Sequence, residues 1–481
     1  MSDPSDWEDI VKNSKPRGYL HLDCRCSLRS PGINCYVCNP NKIARHGFFP
    51  FIHFQIEKRR IKKDQYSRVY LCDPKTRDLY YASHIDACIY QRYAFLLNQC
   101  FNQYTEKYNL DSSVIAYRNN LGKCNLDFAK EVFDFIAKTR LCYIYVTDFS
   151  SFFDNLDHRY LKHRLEDILQ QNRGLSLDWY KVFRSITRFS CLEKKTLEDQ
   201  LTQQGVEVGK LRSYGERIKL SKLDKSLITV NKGENGYLAR GIPQGSPISA
   251  VLSNVYMSQV DRELFEKINT ANGIYRRYCD DILIAIPLKH EDEFLQWQRM
   301  IGEYFRNLTE QKVVIINLDK TVQYLYQQEK VFKVTEGASR ELAKLDYLGL
   351  TFDGYQVALR QKSITKYFYR MRSKAINVGR QLLKANAQTT RFPYKLYDAY
   401  STCAKGHRYR YTKAGEQIVR RQRNFVAYVF RANAYRNNGY LNCDSMSQSI
   451  MKRNKAHVRK FINLGKVRQL KLDKLEVKST Q

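Results

Sequence analysis

No stretch of this 481-residue chain is apolar for long enough to cross a bilayer. Its opening, MSDPSDWEDIVKNSK, is acidic and polar and lacks the basic and apolar regions of a secretory leader. No lipidation motif is present. The expectation is a cytoplasmic protein with no membrane partner. Acidic side chains are also scarce: 49 Asp or Glu stand against 81 Lys or Arg, a formal net charge of +32. The thirteen cysteines are an odd number and form no disulfide framework suited to a secreted scaffold. Most of them, such as Cys72, Cys88, Cys100 and Cys142, lie singly among apolar residues and read as small core side chains.

The charge that is present is unevenly placed. From Gln361 to the end there are 28 Lys or Arg against 5 Asp or Glu, so that segment carries +23 of the +32. Tyr and Phe are interleaved with these cations. Cations neutralise phosphates and rings stack on bases, a combination that fits nucleic acid better than a membrane surface. Hydrophobic residues make up 43% of the chain, ample for a core, and the length allows two or three domains.

Three stretches carry chemistry. The first is GIYRRYCDDILIAIP, Gly273–Pro287. Ile282 to Ile286 form a buried-strand pattern ended by Pro287, and Ile274 to Tyr278 can pair with it, which puts Asp280 and Asp281 at a hairpin tip. Adjacent carboxylates beside a buried strand repel, and a hard divalent cation offsets that repulsion. The second is YIYVTDFSSFFDNLDH, where Asp148 stands at the end of a strand over Tyr143–Thr147. The third is ARGIPQGSPISAVLSNVYMSQVD, a Gly-Ile-Pro-Gln-Gly loop followed by a helix that opens at Ser246-Pro247. Glycine there lets backbone approach a ligand closely.

Together these stretches resemble the palm of reverse transcriptases. The resemblance runs from about Arg68 through a C-terminal thumb, roughly two-thirds of the chain. It implies that Asp148, Asp280 and Asp281 bind two Mg²⁺ ions, with a backbone carbonyl of Phe149 as a further ligand. Two metals roughly 3.5–4 Å apart activate a primer 3′-hydroxyl and stabilise the leaving pyrophosphate, so no covalent nucleophile is needed. It further implies that Gln244 and Gly245, within Pro243–Ser249, frame a dNTP, and that Phe153 packs under the sugar and selects deoxyribose. Arg68 and Arg118 would touch template or triphosphate, with Lys123 a weaker match. Lys320 would assist the pyrophosphate, and Tyr347-Leu348-Gly349 is similar to the primer-grip turn.

The implied architecture is an α/β (α+β) right hand: fingers, a palm of antiparallel sheet plus helices, and a helical thumb. Its expected segments are an N-terminal extension (1–60), fingers (61–140), palm (141–360, with an insertion at about 160–238) and a basic helical region (361–481). Helices are expected over Tyr80–Tyr108, Leu126–Lys138, Tyr160–Gln170, Leu177–Arg188, Glu291–Leu308, Gln417–Tyr435 and Gln448–Leu464, and a strand over Val313–Asn317. Within the family the chain looks like the bacterial "unknown group" reverse transcriptases associated with anti-phage defence. That likeness implies an RNA template, a cDNA product, a small non-coding RNA, a homo-oligomer in some members and tyrosine priming in others. A mobility enzyme of the group II intron or retron kind, and a catalytically idle RNA-binding scaffold, are the alternatives. No zinc-linked endonuclease signature and no ribonuclease H carboxylate set occurs in the tail.

Cys24, Cys26, Cys35 and Cys38 fall within fifteen residues among turn formers and suit a structural zinc site, with His21 or His46 able to replace a thiolate. The plainer reading is four reduced thiols in a flexible arm. Asp157 is expected to cap a helix, and His158 to be a polar helix residue rather than a general base.

Overall fold

The computed structural model describes residues 7–63, 69–118, 120–209, 218, 224–233, 236–335, 339–384, 394–400, 408–411, 417–420, 424–434 and 456–470. Two compact units emerge. One comprises Met1–Gly122, Tyr145–Ile286 and Asp292–Val322; the other comprises Lys123–Ile144, Pro287–Glu291 and Gln323–Gln481. The units interleave along the chain.

The central sheet has six strands: β1 (Leu141–Thr147), β2 (Ile274–Tyr278), β3 (Asp281–Pro287), β4 (Val322–Gln327), β5 (Lys330–Val334) and β6 (Arg340–Ala343). Their spatial order is β2-β3-β1-β4-β5-β6. The amide of Leu288, just past β3, donates to the carbonyl of Leu141 at the start of β1 (2.9 Å). The end of β3 thus lies beside the beginning of β1, and the two strands run antiparallel. Both read as near-continuous apolar runs, and five consecutive residues of each are buried. The expected Val313–Asn317 strand shrinks to one bridge, Phe149 to Ile316, because it pairs with backbone beyond the end of β1.

In the first unit a four-stranded sheet joins Asp78–Tyr81, Phe51–Gln55, Ser190–Glu193 and Ile228–Val230, in that order. Leu20, Leu22, Ile52, Leu192, Leu197 and Leu201 share one core, so the N-terminal extension packs into this unit. Helix α1 (His84–Lys107) is capped by Ser83, whose hydroxyl accepts from the Asp86 amide, and Asp23 accepts from the amides of His84 and Ile85. Helix α2 (Ser249–Thr270) is buried on most of its sides: Val251, Leu252, Val255, Tyr256, Val260 and Leu264 are all core. The Glu293–Glu310 helix buries Phe294, Ile301 and Phe305 of the stripe that also holds Trp297, and leaves Trp297 half-buried.

In the second unit, helix α3 (Gln361–Lys384) packs Tyr367, Met371 and Ala375 against Leu396, Tyr397, Val426, Val429, Val458 and Ile462. The expected helix from Gln417 begins instead as a strand, Gln417–Arg420, which pairs antiparallel with Arg408–Tyr411; helix starts only at Phe425. No helix among the described residues is long and apolar enough to cross a membrane.

Candidate active site

The hairpin read from the sequence is present. Strands β2 and β3 pair antiparallel from Ile274–Ala285 to Tyr278–Asp281, leaving Cys279-Asp280 as a two-residue turn. Cys279 adopts φ 60°, a left-handed conformation that a side chain rarely takes. Its side chain is buried, and burial, with the adjacent Asp280 charge, pushes the thiol up to about 11. It is a packing group rather than a thiolate nucleophile.

Because β1 and β3 are antiparallel neighbours, the end of β1 lies at the same sheet edge as the β2–β3 turn. Asp148 directly follows β1. Its carbonyl accepts from the Asn317 amide (2.9 Å), and the Ser150 amide donates to Ile315 (2.8 Å), which fixes the chain beyond the strand. The Asp148 side chain is mostly buried; Oδ2 pairs with the Lys320 ammonium, and Oδ1 is buried with no hydrogen-bond partner. Among the described residues no three His, Cys, Asp or Glu side chains stand close enough to hold an ion together. Even so, an orphaned buried carboxylate oxygen, carboxylates from two strand ends and a cation already drawn to Asp148 fit a hard divalent ion. Lys320, half exposed, supplies the positive charge at Asp148 in this structure.

The Pro243–Ser249 loop and the residues just before it are stitched from two sides. Gln244 accepts from the Tyr80 amide (2.8 Å), and Gly241 and Ile242 donate to Leu156 and Phe153 (2.9 Å each). Gly245 has φ 120°, and a Cβ there would sit 2.5 Å from the Tyr80 carbonyl oxygen, so only glycine fits. The Ser249 hydroxyl donates to Pro243 (2.7 Å) and joins the loop to α2. Phe152 and Phe153 divide the work that their adjacency left open. Phe152 turns inward against Phe149 and Tyr256, while Phe153 stays half-buried beside the loop. Asp157 caps the following helix by accepting from the Tyr160 amide (2.9 Å), and the His158 ring donates to the Gly241 carbonyl (2.6 Å). Burial lowers the His158 pKa.

Other expectations are corrected. Arg118 has a fully buried side chain that donates to Asp111 (2.6 Å) and Asn102 (3.1 Å), so its guanidinium braces the fold and does not face a triphosphate. Lys123 pairs with Glu131. Arg68 lies outside the described residues. The four N-terminal cysteines do not gather into a zinc site: among the described residues no metal-holding group forms, the Cys38 thiol turns to Asn34, and Cys26 meets Cys88. His46 is held between Tyr36 and Asp86, and His21 is buried beside His84. Tyr347-Leu348-Gly349 does form a tight turn, with φ positive at both Leu348 (45°) and Gly349 (90°).

Sequence reasoning passed over the group that holds the turn. Arg277 is wholly buried and makes a two-point ion pair with Asp261 on α2 (2.6 Å for both contacts). Its Nη1 also donates to Asn254 Oδ1 (3.2 Å) and to the Cys279 carbonyl (3.0 Å). The available signal was Asn254 and Asp261, seven residues apart on one face of an otherwise apolar helix. Tyr117, also at φ 60°, donates its hydroxyl to the Cys279 sulfur (3.3 Å) and leaves 43% of its surface exposed.

Asp148 and the Asp280-Asp281 pair thus share one end of the sheet. The chain belongs to the reverse transcriptase (RNA-dependent DNA polymerase) family, whose model matches residues 100–352, just over half of it. No curated protein sequence matches it. Among solved structures it is similar to an apo telomerase from Candida tropicalis truncated from its C-terminal domain, at 14% identity and TM-score 0.37, with 72% of this chain and 63% of that one covered. It is also similar to telomerase from Candida albicans in complex with a TWJ fragment of telomeric RNA, at 10% identity and TM-score 0.33, with 96% and 69% covered. The chain thus spans under two-thirds of the first of these.

Proposed function

We propose that this chain is an RNA-directed DNA polymerase that extends a primer by two-metal nucleotidyl transfer. The observation that carries the reading is the shared end of the sheet at which Asp148, the turn residue Asp280 and the strand residue Asp281 lie, with an orphaned oxygen on Asp148. Asp148, Asp280, Asp281 and the Phe149 carbonyl would hold the Mg²⁺ ions, which when bound activate the primer hydroxyl and neutralise the leaving pyrophosphate. Gln244 and Gly245 present backbone to the incoming dNTP on a loop fixed to Tyr80. Phe153 offers its half-buried ring beneath the sugar and disfavours a 2′-hydroxyl. Lys320, paired with Asp148 here, would be released for the pyrophosphate charge were that carboxylate to hold metal.

The deciding experiment supplies each labelled dNTP with Mg²⁺ to the purified protein and its co-isolating nucleic acid, and compares wild type with Asp280→Ala/Asp281→Ala. Incorporation by wild type alone supports the polymerase. No incorporation, with RNA still bound, favours an idle scaffold.

The finer assignment is a cytoplasmic bacterial defence enzyme that copies a companion non-coding RNA and is primed by one of its own tyrosines, working as a homo-oligomer. It is supported by the motif resemblance and by the tyrosines of the basic tail. Labelled product that stays with protein under denaturing conditions until protease frees it supports side-chain priming. A tail Tyr-to-Phe scan that leaves the linkage intact at every position removes it. A flanking intron or retron RNA would move the assignment to a mobility enzyme.

A further inference from the structure

Two adjacent carboxylates on a turn with an unfavourable backbone do not hold a shared geometry by themselves. Charge repulsion and the left-handed Cys279 both push the turn toward other conformations. What opposes them lies beneath, within the first unit. Arg277 is wholly buried in β2, and a buried guanidinium is stable only when its donors are matched. Asp261 takes Nε and Nη2, Asn254 takes Nη1, and the same Nη1 reaches the Cys279 carbonyl. Tyr275 donates its hydroxyl to Asp261 (2.7 Å), which orients that carboxylate. Burial alone would disfavour the guanidinium charge, yet Asp261 raises the Arg277 pKa and keeps it ionised.

The same residue ties in a third segment. The Arg277 amide donates to Ser113 (2.8 Å) and its carbonyl accepts from Ile115 (3.1 Å), while Asn254 donates to the Ala116 carbonyl (2.9 Å). Tyr117 then closes the ring through the Cys279 sulfur. The catalytic turn therefore rests on a closed strut of α2, β2 and the Ser113–Tyr117 segment, with the guanidinium at its centre.

We propose that Arg277 is a positioning residue. Oriented by Asp261, Asn254 and Tyr275, it fixes the Cys279-Asp280 peptide so that Asp280 and Asp281 stay in a metal-binding geometry. It touches neither substrate nor metal and acts through the Cys279 carbonyl. The proposal rests on the metal-binding reading of the three aspartates.

The test measures Mn²⁺ binding to the free protein by electron paramagnetic resonance, together with dNTP incorporation and thermal unfolding. Wild type is compared with Arg277→Lys, which keeps a charge for Asp261 but cannot span the fork, and with the near-isosteric Tyr275→Phe. Asp280→Ala/Asp281→Ala identifies the Mn²⁺ bound at the site. Partners that orient metal ligands are worth about 10–100-fold in affinity or activity. Arg277→Lys is expected to lose that much in both Mn²⁺ affinity and kcat, with the dNTP KM within about twofold. Tyr275→Phe is expected to shift both several-fold in the same direction.

Unchanged Mn²⁺ affinity and unchanged kcat per folded molecule in the variants, whatever their melting temperature, would reduce the strut to a fold element and overturn the proposal. Should Arg277→Lys fail to fold, Tyr275→Phe alone decides in the same way. Wild type that binds Mn²⁺ in an Arg277- or Tyr275-dependent manner yet incorporates no dNTP would sink the polymerase reading and leave the positioning role standing. Absence of any Mn²⁺ binding sensitive to Asp280 and Asp281 overturns the proposal whatever the incorporation.

Discussion

At the residue scale the site is a balance of charge. Asp148 sits mostly buried with one oxygen bare and the other against Lys320. Removing the carboxylate with Asp148→Ala is expected to cut dNTP incorporation by on the order of 10³-fold, the scale of deleting one preorganised charge contact at a reacting centre. Lys320→Ala acts in two directions. Without the competing ammonium, Mn²⁺ binding in the absence of nucleotide is expected to tighten several-fold, while single-turnover incorporation slows. Weaker Mn²⁺ binding would mean that Lys320 supports the site rather than competes for it. The places of the three aspartates, at a strand end and a hairpin tip, were legible in the sequence because they follow from local pattern. Arg277 and Arg118 were not. One guanidinium braces the turn and the other braces the fold, and only three-dimensional neighbours, Asp261 and Asp111, tell a buried arginine from one that meets a ligand.

At the scale of elements, short-range signals were read well and long-range pairing was not. The β2–β3 hairpin, the capping Asp157 and the Glu293–Glu310 apolar stripe follow from patterns within a few residues. Val313–Asn317 had the composition of a strand, but the place beside β1 goes to Val322–Gln327. Strand propensity says that a segment can pair, not with what. The Pro243–Ser249 loop gives a direct test of an element. Gly245→Ala places a methyl group against the Tyr80 carbonyl in a backbone region that disfavours it, a strain of about 1–3 kcal/mol. The expected outcome is a lowered melting temperature together with a raised dNTP KM, from about 5-fold to about 160-fold where the strain appears wholly in binding. A KM equal to wild type would show that the loop does not frame the nucleotide.

Across the whole molecule, charge and protonation set the working conditions. Lys362 and Lys366 are exposed on α3 in the basic region. If that face meets single-stranded nucleic acid, replacing both by Ala is expected to reduce the slope of log affinity against log salt by about 1.4, at about 0.7 per contact. An unchanged slope would place the binding face elsewhere. Acid stability has a determinable sign. Burial, with His84 nearby, lowers the His21 pKa to about 3 from its ordinary 6.5. Between these values the unfolded chain binds a proton that the folded chain does not, so stability falls as pH drops through that window, by up to about 1.4 kcal/mol per pH unit per group. His84 and His158 are lowered by burial too and act with the same sign. Melting temperature is expected to decline from pH 7 toward 4, and His21→Gln to decline less steeply.

The bond from the Tyr80 amide to the Gln244 carbonyl, with the Gly245 backbone laid against the same residue, bears on how this sequence can change over time. A loop tied at that distance has no freedom to drift by itself. Any lineage that shifts the strand around residue 80 must shift the loop with it, and any side chain gained at 245 must be matched by retreat of the strand. Because both contacts run through backbone, side chains at 80 and 244 can vary freely while position 245 stays glycine and the strand and loop, over 160 positions apart in sequence, move only together.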